Sequence, residues 1–344
     1  MGCDAKERFF VSKLPAGPRN AITDVPGVAV GHCTLSEGEV QTGVTAVVPH
    51  GGKLFEEKVP AGHAVFNGFG KTAGLMQLGE MGVLETPIIL TNTLSVGTAY
   101  TALVKRALAE NPAIGVATGT VNPLVCECND GGLNDIRGLH VTEEHVFRAL
   151  DSAGPEVAEG SVGAGRGMIC YGCKGGVGTA SRLAAAEGET FCVGCLVLTN
   201  YGREGDLRLW GRPAFSGQSD RPDKGSCIVI LATDAPLSAR QLDRLSRRAI
   251  AGLCRSGSVI GGGSGELAVS FSTGYRVPHE ARGPYLDLRI LREDCLDALF
   301  AAAAEAVEDA VWSSLLHAET VKGVRGNEVR SLRQRLAEEG LPDK

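Results

Sequence analysis

Aromatic residues are scarce in this chain of 344 residues, at 5%, whereas glycine is abundant, with 47 copies. This combination predicts many tight turns and close backbone contacts rather than disorder. No apolar run reaches the length of a transmembrane helix. The hydrophobic content of 43% is typical of a soluble globular protein of one large or two ordinary domains.

The chain also lacks an excess of positive charge. Lys and Arg number 34 against 40 Asp and Glu, which gives a net charge of −6, and the basic residues are scattered. A basic stripe would indicate a nucleic-acid partner, and a polybasic run would indicate an anionic membrane. With neither present, we expect no nucleic-acid or membrane partner.

The first residues lack the apolar segment of a secretory signal peptide, and Lys6 stands where a myristoylation signal has Ser or Thr. We therefore expect a cytoplasmic protein. The cysteines number 11, and an odd count without an export signal favours free, mostly buried thiols over a disulfide framework.

Four of these cysteines have the spacing of a zinc ribbon, with Cys170 and Cys173 followed by Cys192 and Cys195. Residues 191–198, however, read as a buried strand, in which side chains three apart point to opposite faces. Such a pair cannot bind one ion, so no metal is expected. A zinc-stabilised or ligand-binding module without catalysis remains an alternative.

Two glycine-rich runs invite a nucleotide-binding interpretation. In residues 174–179, Lys174 is followed by glycine, whereas a phosphate-binding loop has Ser or Thr after its lysine. A dinucleotide fingerprint requires a helix that begins inside its glycine-rich run, and no helix is predicted to begin inside residues 163–167. The sequence therefore predicts no cofactor.

Apolar strands and amphipathic helices mix along the whole chain. Strands are predicted over residues 45–49, 87–91, 121–126, 191–199, 227–232 and 266–272. Helices are predicted over 70–81, 95–111 and 294–319, and a further helix starts at the turn of residues 233–237. Residues 203–224 are polar and turn-rich, as in a surface excursion. Because no linker rich in proline or serine divides the chain, we expect one layered α/β or α+β unit over residues 1–344.

The most informative stretch is Gly261-Gly262-Gly263-Ser264-Gly265, between a predicted helix and a predicted strand. Glycines on both sides allow the backbone to bring the Ser264 hydroxyl onto the carbonyl carbon of Gly263. An N-to-O acyl shift followed by hydrolysis would leave Ser264 as a new amino terminus, whose amine can activate its own hydroxyl. A flexible loop is the simpler interpretation of the motif alone.

Three further residues stand at positions suited to catalysis. Glu127 ends a buried strand, where an acid can meet a substrate ammonium, although residues 127–135 also suit a solvated turn. Asn200 ends another buried strand, and its amide can donate to an oxyanion. Glu305 lies among apolar helix neighbours that can raise its pKa.

In order and spacing these stretches resemble the DmpA-like peptidases, the family of L-aminopeptidase/D-amino-acid esterases and β-aminopeptidases. The matching segments are residues 23–28, 85–93, 127–135, 174–182, 200–202, 232–237, 263–265 and 271–274. Together they cover about residues 20–325, so the resemblance is specific.

The resemblance implies an αββα sandwich similar to the amino-terminal nucleophile hydrolases, with different connectivity. It also implies a precursor that cuts itself between Gly263 and Ser264. The products would be an α chain of residues 1–263 and a β chain of residues 264–344, assembled as a homotetramer of αβ units. The substrates would be small peptides, amino-acid amides or esters.

Residue by residue, the resemblance makes Ser264 the nucleophile, with its own amine or a nearby acid as the base. Glu127 would hold the substrate ammonium, Asn200 would donate to the oxyanion, and Glu305 would be the acid near the nucleophile. An acyltransferase of the ornithine-acetyltransferase type is the alternative enzyme. Relatives of that type have threonine at the cut, so Ser264 favours the peptidase.

Overall fold

Two β-sheets face each other in the computed structural model, and helices cover the outer surface of each. The structure describes residues 9–215, 225–280 and 283–340. The amino-terminal residues on which the expected compartment depends therefore lie outside the described residues, as do residues 216–224 of the predicted surface excursion.

The strands, in chain order, are β1 (Ala29–Glu37), β2 (Val40–Val48), β3 (Glu57–Gly68), β4 (Val83–Leu84), β5 (Ile88–Asn92), β6 (Leu124–Cys128), β7 (Ile169–Cys170), β8 (Cys173–Lys174), β9 (Gly176–Ala186), β10 (Glu189–Asn200), β11 (Arg208–Leu209), β12 (Arg212–Pro213), β13 (Ser226–Thr233), β14 (Gly265–Ser272), β15 (Val277–Pro278), β16 (Val321–Lys322) and β17 (Glu328–Val329). The helices are α1 (Leu75–Met81), α2 (Val96–Glu110), α3 (Glu143–Asp151), α4 (Ala239–Ser246), α5 (Ala249–Arg255), α6 (Leu296–Leu316) and α7 (Leu332–Glu338). Among the described residues, none of these helices is long and apolar enough to cross a membrane.

The first sheet has the strand order β1-β2-β5-β6, with β5 and β6 parallel and the other neighbours antiparallel. Helices α2 and α3 cover its outer face. Val44, Ala46 and Ile89 of the sheet form one apolar cluster with Ala102 and Leu103 of α2. Glu127 lies near the carboxyl end of the edge strand β6.

The second sheet has seven strands in the order β15-β3-β14-β13-β10-β9, with β4 attached to β3. Only β13 and β14 are parallel among the neighbours on this path. Helices α4, α5 and α6 form the outer core with this sheet. Ser264 directly precedes β14, which lies between β13 and β3 in the middle of the sheet.

Side chains of the two sheets meet in a central core. Leu267, Val269 and Phe271 of β14 lie in this core, whereas Ala268 lies in the outer core with the helices. Alternate residues of a strand point to opposite faces, so β14 is buried on both. The layers are therefore helix, sheet, sheet and helix, which confirms the predicted layered α+β sandwich.

Several predicted elements differ from the observed ones. The helix predicted over residues 70–81 begins only at Leu75, and the single helix predicted after the turn at residues 233–237 is divided into α4 and α5. Strands β3 and β9 and helix α3 were not predicted. Of these, β3 and β9 matter most for the site, because β3 is hydrogen-bonded to β14 and β9 supports α6.

Candidate active site

Ser264 is fully buried at the start of β14, and the preceding loop is held against it. The backbone N–H of Ser264 donates to the carbonyl oxygen of Gly261 at 3.0 Å. The side-chain amide of Asn67, on β3, donates to the carbonyl oxygens of Gly261 at 3.2 Å and Gly262 at 3.3 Å, and also to that of Ser264. One amide thus holds the chain on both sides of the bond between Gly263 and Ser264.

The hydroxyl of Ser264 donates to Oε1 of Glu266. Both residues are fully buried. Residues two apart on a strand share a face, which is why the acid reaches the serine. Glu266 was not among the residues predicted from the sequence, although an acid two residues after the serine, at the start of a predicted strand, was a signal that could have identified it.

Glu127 is 3% exposed, and the neighbouring chain fixes its carboxylate. Its Oε1 accepts from the backbone N–H of Lys71 at 2.7 Å, and its Oε2 accepts from the hydroxyl of Thr93. A cavity of about 100 Å³ lies beside it, lined by Val65, Asn67, Gly68, Gly70, Thr72, Leu75, Glu127, Ile228, Gly265 and Leu267. Because Gly265 follows Ser264 directly, this cavity connects Glu127 to the start of β14.

Asn200 reaches the same end of the second sheet. It is opposite Ser226 on β13, and Ser226 is opposite Gly265 on β14. Two strand spacings separate the backbones of Asn200 and Gly265 by about 10 Å. The side chain of Asn200 accepts from the N–H of Ile169 at 2.9 Å and donates to the carbonyl oxygen of Asn129 at 2.9 Å.

Glu305, the fourth predicted residue, contacts the amino-terminal segment instead. Its Oε2 accepts from the hydroxyl of Ser12 at 3.0 Å and from the N–H groups of Lys13 and Leu14, each at 3.1 Å. Nε of Arg182 lies 3.5 Å from the same oxygen. The carboxylate therefore ties the first described residues to α6.

The position of Arg182 shows how far this acid lies from the nucleophile. Arg182 is opposite Val193, Val193 is opposite Thr233, and Thr233 is opposite Ser272 at the far end of β14. Seven residues of strand between Gly265 and Ser272 span roughly 23 Å. The prediction of Glu305 as the acid near Ser264 is therefore corrected: the acid that contacts the serine hydroxyl is Glu266.

The four cysteines with zinc-ribbon spacing do not form a metal site. Cys192 lies in the central core, whereas Cys195 lies in the outer core with Cys170 and Cys173. Opposite faces of β10 explain this division. Across residues 9–215, 225–280 and 283–340, no group of three His, Cys, Asp or Glu side chains is arranged to hold a metal ion.

The lysine of the glycine-rich run at residues 174–179 is engaged inside the fold. Lys174 is fully buried, and its ammonium donates to the carbonyl oxygens of Gly165 at 2.8 Å and Gly175 at 2.7 Å. Burial lowers the pKa of Lys174 well below its ordinary value. This lysine serves to satisfy buried backbone carbonyls.

Comparisons with known proteins identify the family of this chain. Residues 20–329 match the model of peptidase family S58. The β-peptidyl aminopeptidase BapA of Sphingosinicella microcystinivorans is 40% identical over 346 residues, which cover 92% of this chain and 86% of that protein.

Two solved structures are similar over nearly the whole chain. The PH0078 protein from Pyrococcus horikoshii OT3 is 47% identical, with a TM-score of 0.91 and 96% of each chain covered. The L-aminopeptidase D-Ala-esterase/amidase from Ochrobactrum anthropi is 37% identical, with a TM-score of 0.89 and 98% of each chain covered. The latter is described as a prototype for the serine aminopeptidases and a variant of the Ntn hydrolase fold. This chain therefore belongs to peptidase family S58.

Proposed function

We propose that this protein is a self-processing serine aminopeptidase with Ser264 as its nucleophile. Its family and its relatives support a hydrolase with aminopeptidase activity. The observation that carries the assignment to Ser264 is the shared cavity, lined by the carboxylate of Glu127 and by Gly265, directly after the serine. An ammonium held by Glu127 would place the first bond of a substrate beside the nucleophile.

Processing would cut the chain between Gly263 and Ser264, giving an α chain of residues 1–263 and a β chain of residues 264–344. Gly263 is partly buried in a turn whose backbone is bent by the bond from the N–H of Ser264 to Gly261. The new amino group of Ser264 would then serve as the base for its own hydroxyl in each turnover.

In the aminopeptidase reaction, Ser264 Oγ attacks the first carbonyl carbon of the substrate, and the leaving amine departs from the acyl-enzyme. The amide nitrogen of Asn200 carries two hydrogens. One is donated to Asn129, and we assign the other to the developing oxyanion. Water then releases the amino-terminal residue and restores the serine.

The substrate class follows from the site and from the relatives. A BapA relative is named a β-peptidyl aminopeptidase, and the Ochrobactrum anthropi relative is named an L-aminopeptidase D-Ala-esterase/amidase. We therefore assign small peptides, amino-acid amides and esters with a free amino group. The family favours hydrolysis over the acyl transfer of the ornithine-acetyltransferase type.

The remaining parts of the proposal concern assembly and compartment. We assign one folded unit, a homotetramer of αβ units, a cytoplasmic location, no cofactor, and no nucleic-acid or membrane partner. The net charge of −6, with scattered basic residues, supports the last of these.

Intact-mass spectrometry of the purified protein tests the proposal. We expect two species whose masses sum to the 35.8 kDa precursor plus one water, with the break before Ser264. Ser264→Ala should give a single uncut, inactive species. Ser258→Ala, in the same loop, is the matched control and should still be cut. Wild-type protein that hydrolyses amino-acid amides at full rate while uncut would overturn the assignment.

A further inference from the structure

A second cavity lies at the outer layer of the first sheet, away from the start of β14. Its volume is about 150 Å³, and it is formed by the loop between β2 and β3, the residues before β5, the second half of α2 and the end of α3. Pro87 lines it, whereas Thr91, further along the same segment, is opposite Glu127. The strand between Pro87 and Thr91 spans roughly 13 Å. No described residue lines both this cavity and the one beside Glu127, so the two are separate sites.

One wall of this cavity is apolar and well suited to a small organic body. It is formed by the buried side chains of Leu54, Phe55, Leu103, Ala107 and Leu150. A cavity of about this volume with an apolar lining holds a benzene ring. Gly51 and Gly52 also line it and are exposed, so a molecule can enter from solvent without unfolding the protein.

Asn111, which follows the last residue of α2, adds a buried hydrogen-bond acceptor to the lining. The residue is 4% exposed. Its backbone N–H and its side-chain Nδ2 both donate to the carbonyl oxygen of Ala107, at 2.9 Å and 3.0 Å. Because that carbonyl oxygen only accepts, the amide is oriented with Nδ2 towards it. Oδ1 of Asn111 accepts no hydrogen bond from the part of the chain that the structure describes, so it is available to a ligand.

His50 and Thr86 also line the cavity, but the protein already engages both. Burial lowers the pKa of His50 below its ordinary value, so the ring is neutral at physiological pH. Its Nε2 donates to the carbonyl oxygen of Glu57 at 2.8 Å, and its Nδ1 accepts from the N–H of Gly52 at 3.0 Å. The hydroxyl of Thr86 donates to the carbonyl oxygen of Pro87 at 2.8 Å.

The charged side chains of the lining are paired with other residues. Oε2 of Glu85 accepts from the backbone and side-chain nitrogens of Asn122, at 3.0 Å and 3.1 Å, and its Oε1 lies 3.8 Å from Nζ of Lys58. Arg106 forms an ion pair with Glu110, one helical turn further along α2. Since each charge has an opposite partner, the cavity favours a neutral ligand over an ion.

We propose that this cavity binds a small neutral molecule with an apolar body of about six carbon atoms and one hydroxyl or N–H donor. The donor bonds to Oδ1 of Asn111, and the apolar body packs against Phe55 and Leu103. The lining residues all lie within residues 48–150, before the proposed cut. Binding is therefore independent of processing and of the reaction at Ser264.

Equilibrium dialysis of the purified protein against radiolabelled phenol and toluene tests this site. Phenol carries a hydroxyl donor on a benzene ring, and toluene has a methyl group in its place. We expect the wild type to bind one phenol per chain. Asn111→Ala leaves the phenol hydroxyl unpaired, so it should weaken phenol binding roughly 5- to 150-fold. Toluene should bind this variant at least as tightly as the wild type, because the cavity is not filled.

Two further variants on α2 locate the bound molecule. Ala107→Leu places extra carbon atoms inside the cavity and should weaken both phenol and toluene at least about tenfold. Leu108→Ala is the matched control, because Leu108 is exposed and does not line the cavity. It should bind both molecules like the wild type. Folding of each variant is checked by thermal unfolding.

Three results would overturn the proposal. The first is a wild type that binds no phenol, and the second is phenol binding that folded Asn111→Ala and Ala107→Leu both retain in full. The third is displacement of phenol by an amino-acid amide, which would place phenol in the cavity beside Glu127.

Hydrogen exchange of the wild type keeps the proposal testable if neither cavity variant folds. Bound phenol should slow amide exchange in residues 50–55 and 103–111, which surround the cavity. Phenol that binds without slowing exchange in these two segments would lie elsewhere and would contradict the site.

Discussion

Asn200 donates its side-chain amide hydrogen to the carbonyl oxygen of Asn129 at 2.9 Å, which connects the last residue of β10 to the loop after β6. Its Oδ1 accepts from the N–H of Ile169 at 2.9 Å, so both ends of the amide are engaged. The orientation of the amide is therefore set before any substrate arrives, as preorganised oxyanion stabilisation requires.

Asn200→Asp tests this assignment, because aspartate keeps the oxygen that accepts from Ile169 and lacks the nitrogen donor. We expect kcat to fall by about 10² to 10³-fold with KM within about twofold. Steady-state kinetics on amino-acid amides measure both constants. Asn200→Ala provides the comparison in which the acceptor is lost as well. A raised KM at unchanged kcat would instead assign Asn200 to ground-state binding.

Glu127→Gln should weaken the recognition of a free amino group. A charge-assisted hydrogen bond contributes about 1.5 to 3 kcal/mol, so kcat/KM should fall roughly 10- to 150-fold. The reference is the same substrate with an acetylated amine, which the wild type should use poorly and which should lose nothing further in the variant. Thr93→Val, which removes one hydrogen bond to Glu127 and keeps its charge, should have a smaller effect. Equal losses on both substrates would refute the role.

Glu305→Gln should lower stability and leave catalysis nearly unchanged. The carboxylate accepts three hydrogen bonds from residues 12–14 and faces Arg182, which is 2% exposed at its side chain. Weakening these contacts should lower the free energy of unfolding by about 1 to 3 kcal/mol. Urea unfolding measures that loss, and hydrolysis of an amino-acid amide should stay within about twofold. A variant with unchanged stability and a greatly reduced kcat would contradict this structural role and indicate that Glu305 acts in catalysis.

The buried carboxyl group of Asp130 should make the free energy of unfolding depend on pH. Burial raises the pKa of Asp130 from 3.8 to about 6. Between about pH 4 and pH 6 the folded chain thus keeps a proton that the unfolded chain has lost. The contribution of Asp130 to the free energy of unfolding therefore falls by about 2 to 3 kcal/mol as the pH rises through this window.

The variant Asp130→Asn isolates this contribution from other titrating groups. Asparagine can keep the oxygen that accepts from Asn134 at 3.1 Å, and it carries no charge. Relative to the wild type, it should be more stable at about pH 8 than at about pH 4, by urea unfolding at each pH. A difference that does not change with pH would contradict the raised pKa.

The sequence predicted well those strands that are rich in Val, Ile and Leu. Residues 87–91 correspond to β5, and residues 191–199 to β10, because β-branched and large apolar side chains favour a buried strand. Strand β9 was missed because Gly and Ala dominate it. Tertiary contact makes it a strand: a Cβ on Gly178 would lie 2.0 Å from the carbonyl oxygen of Ala310, so glycine lets α6 pack closely.

The candidate site was predictable where it depends on local sequence. Ser264, Glu127 and Asn200 each lie at a strand boundary, which the apolar patterns showed. Asn67 could not be predicted as part of the site, because it lies 197 residues from Ser264 in the sequence and its strand was not predicted. Glu305 was misplaced because helical periodicity identifies the buried face of α6, but not which end of the sheet each of its turns covers.

The central position of β14 changes how a cut protein would respond to unfolding. This strand is hydrogen-bonded to β13 on one side and β3 on the other, within a sheet of seven strands. After a cut before Ser264, the middle of that sheet belongs to a separate molecule. The uncut chain folds in a unimolecular reaction, whereas the cut protein must reassemble as a heterodimer, at a rate that depends on concentration. Denaturation in dilute solution would then be effectively irreversible. The lifetime of the folded mature protein would therefore be set by its slow rate of unfolding.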